Sequence, residues 1–225
     1  MNAAASPLPV VILISGRGSN LQAIVNAIAN DRLPVEIRAV ISNRPDAGGL
    51  QRAAQAGITT AVIDHSLYPD RAAFDAALQE CIEGFQPALV VLAGFMRILT
   101  AGFVHHYQGR MLNIHPSLLP DFPGLHTHQR ALEAGCKEHG ASIHFVTEAV
   151  DGGPVVLQAR VPVQPHDTVT TLAARVLEQE HRLYPLAIRW FAEQRLRLDN
   201  SGHAVLDDRV LTRPVIVTQE TEVSF

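Results

Sequence analysis

Short apolar segments alternate with amphipathic segments through the N-terminal half of the chain, and this order constrains the fold more than any other feature. The predicted strands cover residues 9–15, 35–42, 58–64 and 88–93, and the predicted helices cover residues 21–29, 47–56 and 71–84. Strands that alternate with helices need crossover connections, so we expect them to be parallel and covered by helices on both faces. The sequence predicts an α/β fold with a doubly wound, mostly parallel sheet, whose ligands bind at the carboxyl ends of the strands.

The pattern changes after Gly140. Residues 141–147 and 155–163 alternate in polarity and are separated by an Asp-Gly-Gly-Pro turn. Two alternating segments joined in this way predict an antiparallel strand pair. We therefore expect antiparallel strands to complete the C-terminal part of the sheet.

A long helix and a peripheral tail are predicted for the rest of the chain. Residues 168–195 carry apolar side chains at helical spacing, and Pro185 is expected to interrupt this helix. Residues 197–225 predict a short hairpin and a loosely held end. With no internal repeat or low-complexity linker, we expect one domain over residues 1–225, with a core of about residues 9–196.

Composition and charge favour an enzyme that acts on small molecules. With 225 residues, of which 47% are hydrophobic, the chain is long enough to bury a substantial core. Its formal net charge of −4 differs from the basic surface typical of nucleic-acid-binding proteins. We expect small-molecule substrates and no nucleic acid, and both a monomer and a homodimer remain open.

The apolar runs and the cysteines predict a cytoplasmic protein with no membrane partner. The longest apolar runs, residues 10–14 and 88–96, are much shorter than the roughly 20 residues that span a bilayer. Residues 1–7 lack the basic and apolar regions of a secretory signal. Cys81 and Cys136 have no CxxC spacing, as expected of thiols in a reducing compartment.

Two segments framed by Pro and Gly carry an amide, an imidazole and a carboxylate, the groups that acyl chemistry requires. Asn113 and His115 stand at i and i+2 after a short apolar strand, so their side chains point to the same side. The turn around Asp151 can aim its carboxylate at a neighbouring strand end, and a carboxylate next to His115 would raise the imidazole pKa. The alternatives are a core histidine with satisfied hydrogen bonds and an aspartate that only forms a turn.

A glycine-rich loop follows the first predicted strand. It reads Ser15-Gly16-Arg17-Gly18-Ser19-Asn20 and leads directly into a helix. Backbone N–H groups and the helix dipole can bind an anion there, and a phosphate is the expected ligand. The pattern is neither GxGxxG nor a P-loop. The alternative is a tight turn in which Ser19 or Asn20 caps the helix.

Four motifs together resemble phosphoribosylglycinamide formyltransferase, a folate-dependent family of purine biosynthesis. They are SGRGSNLQAI at residues 15–24, AGFMRIL at 93–99, NIHPSLLP at 113–120 and DGG at 151–153, in order within about residues 10–196. The resemblance implies a Rossmann-like formyltransferase fold. It also implies transfer of the formyl group of 10-formyltetrahydrofolate, as co-substrate, to the amine of N1-(5-phospho-D-ribosyl)glycinamide, called glycinamide ribonucleotide, without a metal.

The resemblance assigns roles to individual residues. The implied catalytic residues are Asn113, His115 and Asp151; the implied ribonucleotide-binding residues are Gly18, Ser19, Asn20, Gln179 and Glu180; the implied folate-binding residues are Arg71, Met96, Arg97, Ile98, Leu99, Asn113, Thr147, Glu148, Ala149, Val150 and Asp151. Protonated His115 and the Asn113 amide would donate hydrogen bonds to an oxyanion. Asp151 would raise the His115 pKa, fix the orientation of the ring and keep more of it protonated near neutral pH. Arg71 would lie near the glutamate tail of the folate.

Some of these residues have simpler explanations. Met96, Ile98 and Leu99 would also fit plain core packing, whereas Arg97 between them is costly to bury without a purpose. Arg17 is expected to strengthen phosphate binding through its charge.

The histidines raise a further alternative. The pairs His105–His106 and His126–His128 could suggest a metal site, but no Cys or carboxylate accompanies the second pair at ligand spacing.

Two other functions remain open. A formyltetrahydrofolate deformylase would use the same three catalytic side chains, and a nucleotide-binding module would use none. The deformylase carries an additional N-terminal domain and methionyl-tRNA formyltransferase an additional C-terminal one, and neither is expected from this chain.

Overall fold

The computed structural model describes residues 6–30 and 33–218. Its strands are β1 (Leu8–Ile14), β2 (Val35–Ser42), β3 (Thr60–Val62), β4 (Leu89–Leu92), β5 (Met111–His115), β6 (Glu138–Phe145), β7 (Val155–Pro162), β8 (Leu196–Leu198), β9 (Ala204–Leu206), β10 (Arg209–Val210) and β11 (Val215–Val217). Its helices are α1 (Ser19–Ala29), α2 (Gly48–Gln55), α3 (Arg71–Glu83), α4 (Ala101–His106), α5 (Thr127–Glu133) and α6 (Val169–Ala192), with a 3-10 turn at His65–Leu67.

Within these residues, a sheet of eight strands in the order β11-β7-β6-β5-β4-β1-β2-β3 forms the centre of the molecule. Strands β1 to β5 pair in parallel with one another, which confirms the predicted fold class. In β1, Val10, Ile12 and Ile14 belong to one hydrophobic core, while Val11 and Leu13 belong to the core on the other face. A strand buried on both faces needs apolar residues at every position, which explains the unbroken apolar run.

The C-terminal strands complete the sheet as predicted, but the tail differs from expectation. β6 and β7 are antiparallel, and β6 is also antiparallel to β5. In the described part of the tail, β8, β9 and β10 form a separate antiparallel sheet, and β11 pairs in parallel with β7 at the edge of the main sheet. Residues 215–217, which belong to the predicted loose end, are therefore paired with β7. A strand of three residues is too short to be predicted from its sequence. Residues 219–225 lie outside the described residues.

Helix α6 continues through Pro185, so the predicted interruption is wrong. A proline inside a helix loses a hydrogen bond and costs about 3 kcal/mol. The helix offsets this cost because its apolar face packs against β6, β7 and α1. Thr168 caps its first turn with a reciprocal pair of hydrogen bonds to Thr171.

Two short helices were not predicted. α4 and α5 are too short to show a helical repeat of apolar residues. α4 starts at a Thr100 cap, while α5 follows His126, whose φ of 57° is left-handed. No helix among the described residues is long and apolar enough to cross a membrane.

Tyr184 connects α6 to the backbone of two neighbouring strands, at the end of β4 and within β5. Its hydroxyl lies 2.8 Å from the carbonyl oxygen of Leu92 and 2.9 Å from that of Leu112, and the side chain is fully buried. Burial raises the pKa of Tyr184 well above its ordinary value, so the hydroxyl remains a donor.

We expect Tyr184→Phe to lower the free energy of unfolding by about 1–3 kcal/mol, because buried carbonyl groups lose their hydrogen-bond donor. Urea unfolding followed by circular dichroism measures the loss. Tyr68→Phe is the control, since Tyr68 is partly exposed and packs against Phe74 through its ring, which the variant keeps. Equal stability of the two variants would contradict the assigned role of Tyr184.

Candidate active site

The carboxyl end of β5 carries Asn113 and His115, and β6 lies beside it. Asn113 stands opposite His144, and His115 stands opposite Ser142. Residues opposite one another, and residues two apart on a strand, lie on the same face of a sheet. Four polar side chains therefore gather on one face near the end of β4, where Leu92 pairs with Asn113.

Asp151 joins this group from the turn between β6 and β7. Its Oδ2 lies 3.3 Å from His115 Nδ1 and accepts a hydrogen bond from the Gly124 N–H at 2.8 Å. Its Oδ1 lies 3.5 Å from Asn113 Nδ2 and 3.6 Å from His144 Nε2. The structure thus brings together the three side chains that the sequence singled out as catalytic.

The turn that carries Asp151 depends on glycine. Asp151 has a φ of 53°, and a Cβ on Gly153 would lie 1.9 Å from the carbonyl oxygen of Phe145. Only glycine allows this close approach of two backbone segments. The register between β6 and β7 also shifts between Ile143 and His144, as in a β-bulge, which reorients the strand next to the site.

Both ring nitrogens of His115 face oxygen atoms. Nε2 lies 2.9 Å from the carbonyl oxygen of Phe122, and Nδ1 faces Asp151. A neutral imidazole donates one hydrogen bond, whereas the imidazolium donates two. The hydrogen-bonding pattern therefore favours the charged ring.

Burial nevertheless lowers the pKa of His115 below its ordinary value, although the Phe122 carbonyl and the Asp151 carboxylate act in the opposite direction. The predicted effect of Asp151 on the His115 pKa is present, but it does not decide the net shift. The carboxylate raises the pKa as predicted, but burial, which the sequence does not reveal, outweighs it.

For the pKa of Asp151, the neighbouring groups outweigh burial. Burial alone would raise the pKa of Asp151, but hydrogen bonding with His144 and the Gly124 amide and the charge of His115 together lower it. The carboxylate is therefore ionised at neutral pH. An ionised carboxylate and a predominantly neutral imidazole stand side by side.

His144 is a functional neighbour that the sequence analysis missed. Its Nδ1 donates to the carbonyl oxygen of Phe145 at 2.9 Å, and its Nε2 lies 3.1 Å from Asn113 Nδ2 and 3.6 Å from Asp151 Oδ1. A flipped Asn113 amide would place its oxygen against the Asp151 carboxylate, so Asp151 favours the orientation with Nδ2 towards it. His144 thus contacts both of these candidate catalytic side chains from β6. The sequence feature that could have revealed His144 is its position between the apolar residues Ile143 and Phe145.

Buried side chains of β6 and β7 fix the loop that follows His115. Ser142 Oγ donates to the carbonyl oxygen of Ser117 at 2.6 Å and accepts from the Leu119 N–H at 3.0 Å. Gln158 Nε2 donates to the carbonyl oxygen of Leu119 at 2.8 Å and to Ser142 Oγ at 2.9 Å. The loop path is therefore set by the sheet beneath it, in addition to its prolines.

The glycine-rich loop leads into α1 without a side-chain cap. Gly18 is the N-cap residue, with a φ of 73°, so the alternative in which Ser19 or Asn20 caps the helix is wrong. A Cβ on Gly18 would lie 2.7 Å from Gly49 Cα, because the loop packs closely against α2. An uncapped helix N-terminus retains backbone donors for an anion.

Asn20 and Glu180 meet although they are far apart in the sequence. Asn20 Nδ2 donates to Glu180 Oε2 at 2.7 Å, and both side chains are buried. Burial raises the pKa of Glu180, although the hydrogen bond from Asn20 opposes this. Asn20 Oδ1 is also buried and has no partner among the described residues. Gln179 is buried as well, but its Oε1 accepts from Arg182 on the same helix at 3.0 Å.

Tyr184 connects the helix that carries Glu180 to the strand that carries Asn113. Glu180 and Tyr184 are one helical turn apart on α6, with Cβ atoms about 6 Å from each other in regular geometry. The Tyr184 hydroxyl contacts the carbonyl oxygen of Leu112, the residue before Asn113.

The connection from β4 to α4 is a surface, and the core-packing alternative is wrong for two of its residues. Met96 and Ile98 are 66% and 54% exposed, while Leu99 packs partly against a core. The Met96 N–H donates to Ser15 Oγ at 2.7 Å, which links this connection to the glycine-rich loop.

Two arginines border this surface. The guanidinium carbon of Arg97 lies 5.7 Å from the centre of the Phe74 ring, and Arg97 Nε is buried without a partner in the described part of the chain. Arg71 begins α3 three residues before Phe74, so the two share a helix face. Arg97 therefore packs on the helix that Arg71 begins.

The turn after β6 is mostly exposed. Thr147 is partly buried, while Glu148, Ala149 and Val150 are exposed. Glu148 Oε1 lies 2.6 Å from His105 Nε2, so α4 contacts this turn.

Three of the four histidines in the pairs highlighted by the sequence, His105, His106 and His128, have individual partners. His106 Nε2 lies 3.1 Å from Glu83 Oε1, and His128 Nδ1 lies 3.1 Å from His139 Nε2. Within the described residues, no group of three or more His, Cys, Asp or Glu side chains could hold a metal ion.

Comparisons with known proteins agree with this geometry. The formyl transferase family model matches residues 8–188. Phosphoribosylglycinamide formyltransferase of Escherichia coli is 56% identical over 193 residues, or 86% of this chain and 91% of that protein. The solved structure of the phosphoribosylglycinamide formyltransferase of Coxiella burnetii is 52% identical, with a TM-score of 0.88 over 93% of this chain and 99% of that chain.

A formyltetrahydrofolate deformylase from Pseudomonas syringae is more distant, with 27% identity and a TM-score of 0.82 over 90% of this chain and 66% of that chain. The family match covers most of the chain, and strands β1 to β7 of the main sheet and the polar group at the end of β5 lie within it. The chain belongs to the formyl transferase family.

Proposed function

We propose that this protein transfers the formyl group of 10-formyltetrahydrofolate to the amine of glycinamide ribonucleotide, giving the N2-formyl product in de novo purine biosynthesis. The observation that carries the proposal is the position of the Asp151 carboxylate beside both Asn113 and His115. An amide and an imidazole oriented by a carboxylate are suitable donors for the oxyanion of an acyl transfer. The names of the Escherichia coli and Coxiella burnetii relatives support the acceptor.

The reaction starts when the ribonucleotide amine attacks the formyl carbon. A new C–N bond forms and the formyl oxygen becomes an oxyanion; the bond from the formyl carbon to N10 of the folate then breaks, and N10 receives the proton that the amine loses. Asn113 Nδ2 donates to the oxyanion, and His115 does so in its charged form. The developing negative charge favours protonation of His115 against the effect of burial. Asp151 orients both donors and relays the amine proton through water.

The ribonucleotide binds through its phosphate and its sugar. The N-terminus of α1 at Gly18 and Ser19 supplies backbone donors and the positive end of the helix dipole to the phosphate. Exposed Arg17 adds positive charge nearby. Asn20 Oδ1, an unpartnered buried acceptor among the described residues, receives a hydrogen bond from a ribose hydroxyl or the amine. Glu180 and the neighbouring Gln179 complete this region.

The folate binds along the surface formed by residues 96–99 and 147–151, mainly through backbone groups. Arg71, at the start of α3, is the cation that binds a carboxylate of the glutamate tail in this proposal. The transfer needs no metal. The proposed setting is the cytoplasm, with the protein as a monomer or a homodimer.

A formyltetrahydrofolate deformylase is the second candidate, supported by the structural likeness to the Pseudomonas syringae enzyme. Water would then replace the amine at the same three side chains. The buried pair of Asn20 and Glu180 favours the transferase, because hydrolysis needs no pocket for a second organic substrate. A nucleotide-binding module without catalysis is the third candidate.

We expect His115→Gln and Asn113→Ala each to lower kcat by about 10²–10³-fold, because each removes an oxyanion donor. The KM for the ribonucleotide should change by less than about threefold, since neither side chain binds its phosphate. Spectroscopic measurement of folate turnover with purified protein tests this. His203→Gln is the control, because the His203 side chain is 61% exposed. A variant that keeps more than about a tenth of the wild-type kcat would contradict the assignment.

We expect Gly18→Ala to raise the KM for the ribonucleotide at least about tenfold, because the new Cβ would displace the loop from Gly49 and move the phosphate donors. Gly57→Ala is the matched control. Gly57 has a similar φ of 71°, but a Cβ there meets nothing within 4 Å. Both variants carry the strain of a left-handed alanine, and only the first disturbs the loop. A similar KM in both would argue against phosphate binding at Gly18.

A further inference from the structure

The loop after β5 contains backbone conformations that need support. Phe122 has a φ of 52°, Gly124 of 79° and His126 of 57°. Left-handed conformations at phenylalanine and histidine are unfavourable and persist only where surrounding contacts fix them. The same loop presents the Phe122 carbonyl to His115 and the Gly124 N–H to Asp151. The positions of two candidate catalytic side chains therefore depend on this strained segment.

Arg130 on α5 contacts this loop at three points. Its Nη1 donates to the carbonyl oxygen of Pro123 at 2.6 Å and lies 3.4 Å from that of Leu125. Its guanidinium carbon lies 5.4 Å from the centre of the Phe122 ring. A planar guanidinium can donate in its plane and stack on an aromatic face, whereas an ammonium group lacks this geometry.

We propose that Arg130 is a positioning residue for formyl transfer, which holds residues 122–125 so that the Phe122 carbonyl and the Gly124 N–H orient His115 and Asp151. The kinetic part of this inference rests on the proposed function. Arg130 acts through the loop, because its contacts are with Phe122, Pro123 and Leu125.

Arg130 also affects His115 through its charge, and the test must separate this effect from positioning. The charged or titratable groups that interact with His115 are Asp151 from the turn after β6, His144 and His139 from β6, and Arg130 and His128 from α5. Burial has the largest effect on the pKa of His115, and the charge of Arg130 lowers it further. Arg130→Lys keeps the charge and loses the guanidinium geometry, whereas Arg130→Met loses both.

The first readout needs no substrate. Hydrogen exchange of the Gly124 amide, measured by NMR on the free protein, reports whether the loop stays closed on Asp151. We expect this amide to exchange at least about tenfold faster in Arg130→Met and Arg130→Lys than in the wild type, with β1 amides unchanged. Arg38→Met is the control, because Arg38 is an exposed arginine on β2 that pairs with Glu36. Wild-type exchange at Gly124 in both Arg130 variants would overturn the inference.

The second readout is catalysis. We expect kcat to fall about tenfold in both Arg130 variants, with the KM for the ribonucleotide unchanged, because small displacements of reacting groups slow the reaction without weakening remote binding. Full activity of Arg130→Lys would assign the effect of Arg130 to its charge and overturn the positioning role. Faster exchange of the Gly124 amide with an unchanged kcat would also overturn that role. If the wild type shows no transfer at all, the proposed function fails, while the exchange of Gly124 still decides the role of Arg130.

Discussion

The candidate active site depends on the buried charge of Asp151. Its carboxylate contacts His115 and Asn113 from β5 and the Gly124 N–H from the loop that follows. A buried charge is tolerated only where such donors compensate for lost water, so Asp151 couples the turn after β6 to the end of β5. The surroundings lower the pKa values of both Asp151 and His115. The Asp151 carboxylate stays ionised, while the His115 imidazole can gain a proton when negative charge develops on the substrate. This combination suits acid–base chemistry.

The order of strands explains how this arrangement is reached. Because β6 is antiparallel to β5, Asn113 stands opposite His144, and the turn that follows β6 folds back over the same face. The close approach at Gly153 makes that path possible. On the other side of the site, Tyr184 fastens α6 to the carbonyl groups of β4 and β5, one helical turn from Glu180. One sheet end thus carries both the reacting groups and one wall of the pocket assigned to the acceptor.

Much of the fold and the site could be predicted from the sequence, because the signals are local. Apolar runs and periodicity predicted strands β1 to β7 and most helices, and the spacing of Asn113 and His115 predicted a shared face. The assignment of Asn20 and Glu180 to one ligand came only from resemblance, since no local pattern links residues so distant in the chain. Burial could not be predicted from local signals: it outweighs the effect of Asp151 on the His115 pKa and stabilises α6 across Pro185. His144 was missed because its role depends on strand register.

The most direct test of the central claim is folate turnover, followed spectroscopically with purified protein and 10-formyltetrahydrofolate, with and without glycinamide ribonucleotide. The geometry of Asn113, His115 and Asp151, together with the pocket at Asn20 and Glu180, predicts turnover only when the ribonucleotide is present, with one formyl group transferred per folate consumed. Equal turnover without the ribonucleotide would identify a deformylase, and no turnover in either case would leave a protein that binds ligands without transferring a formyl group between them.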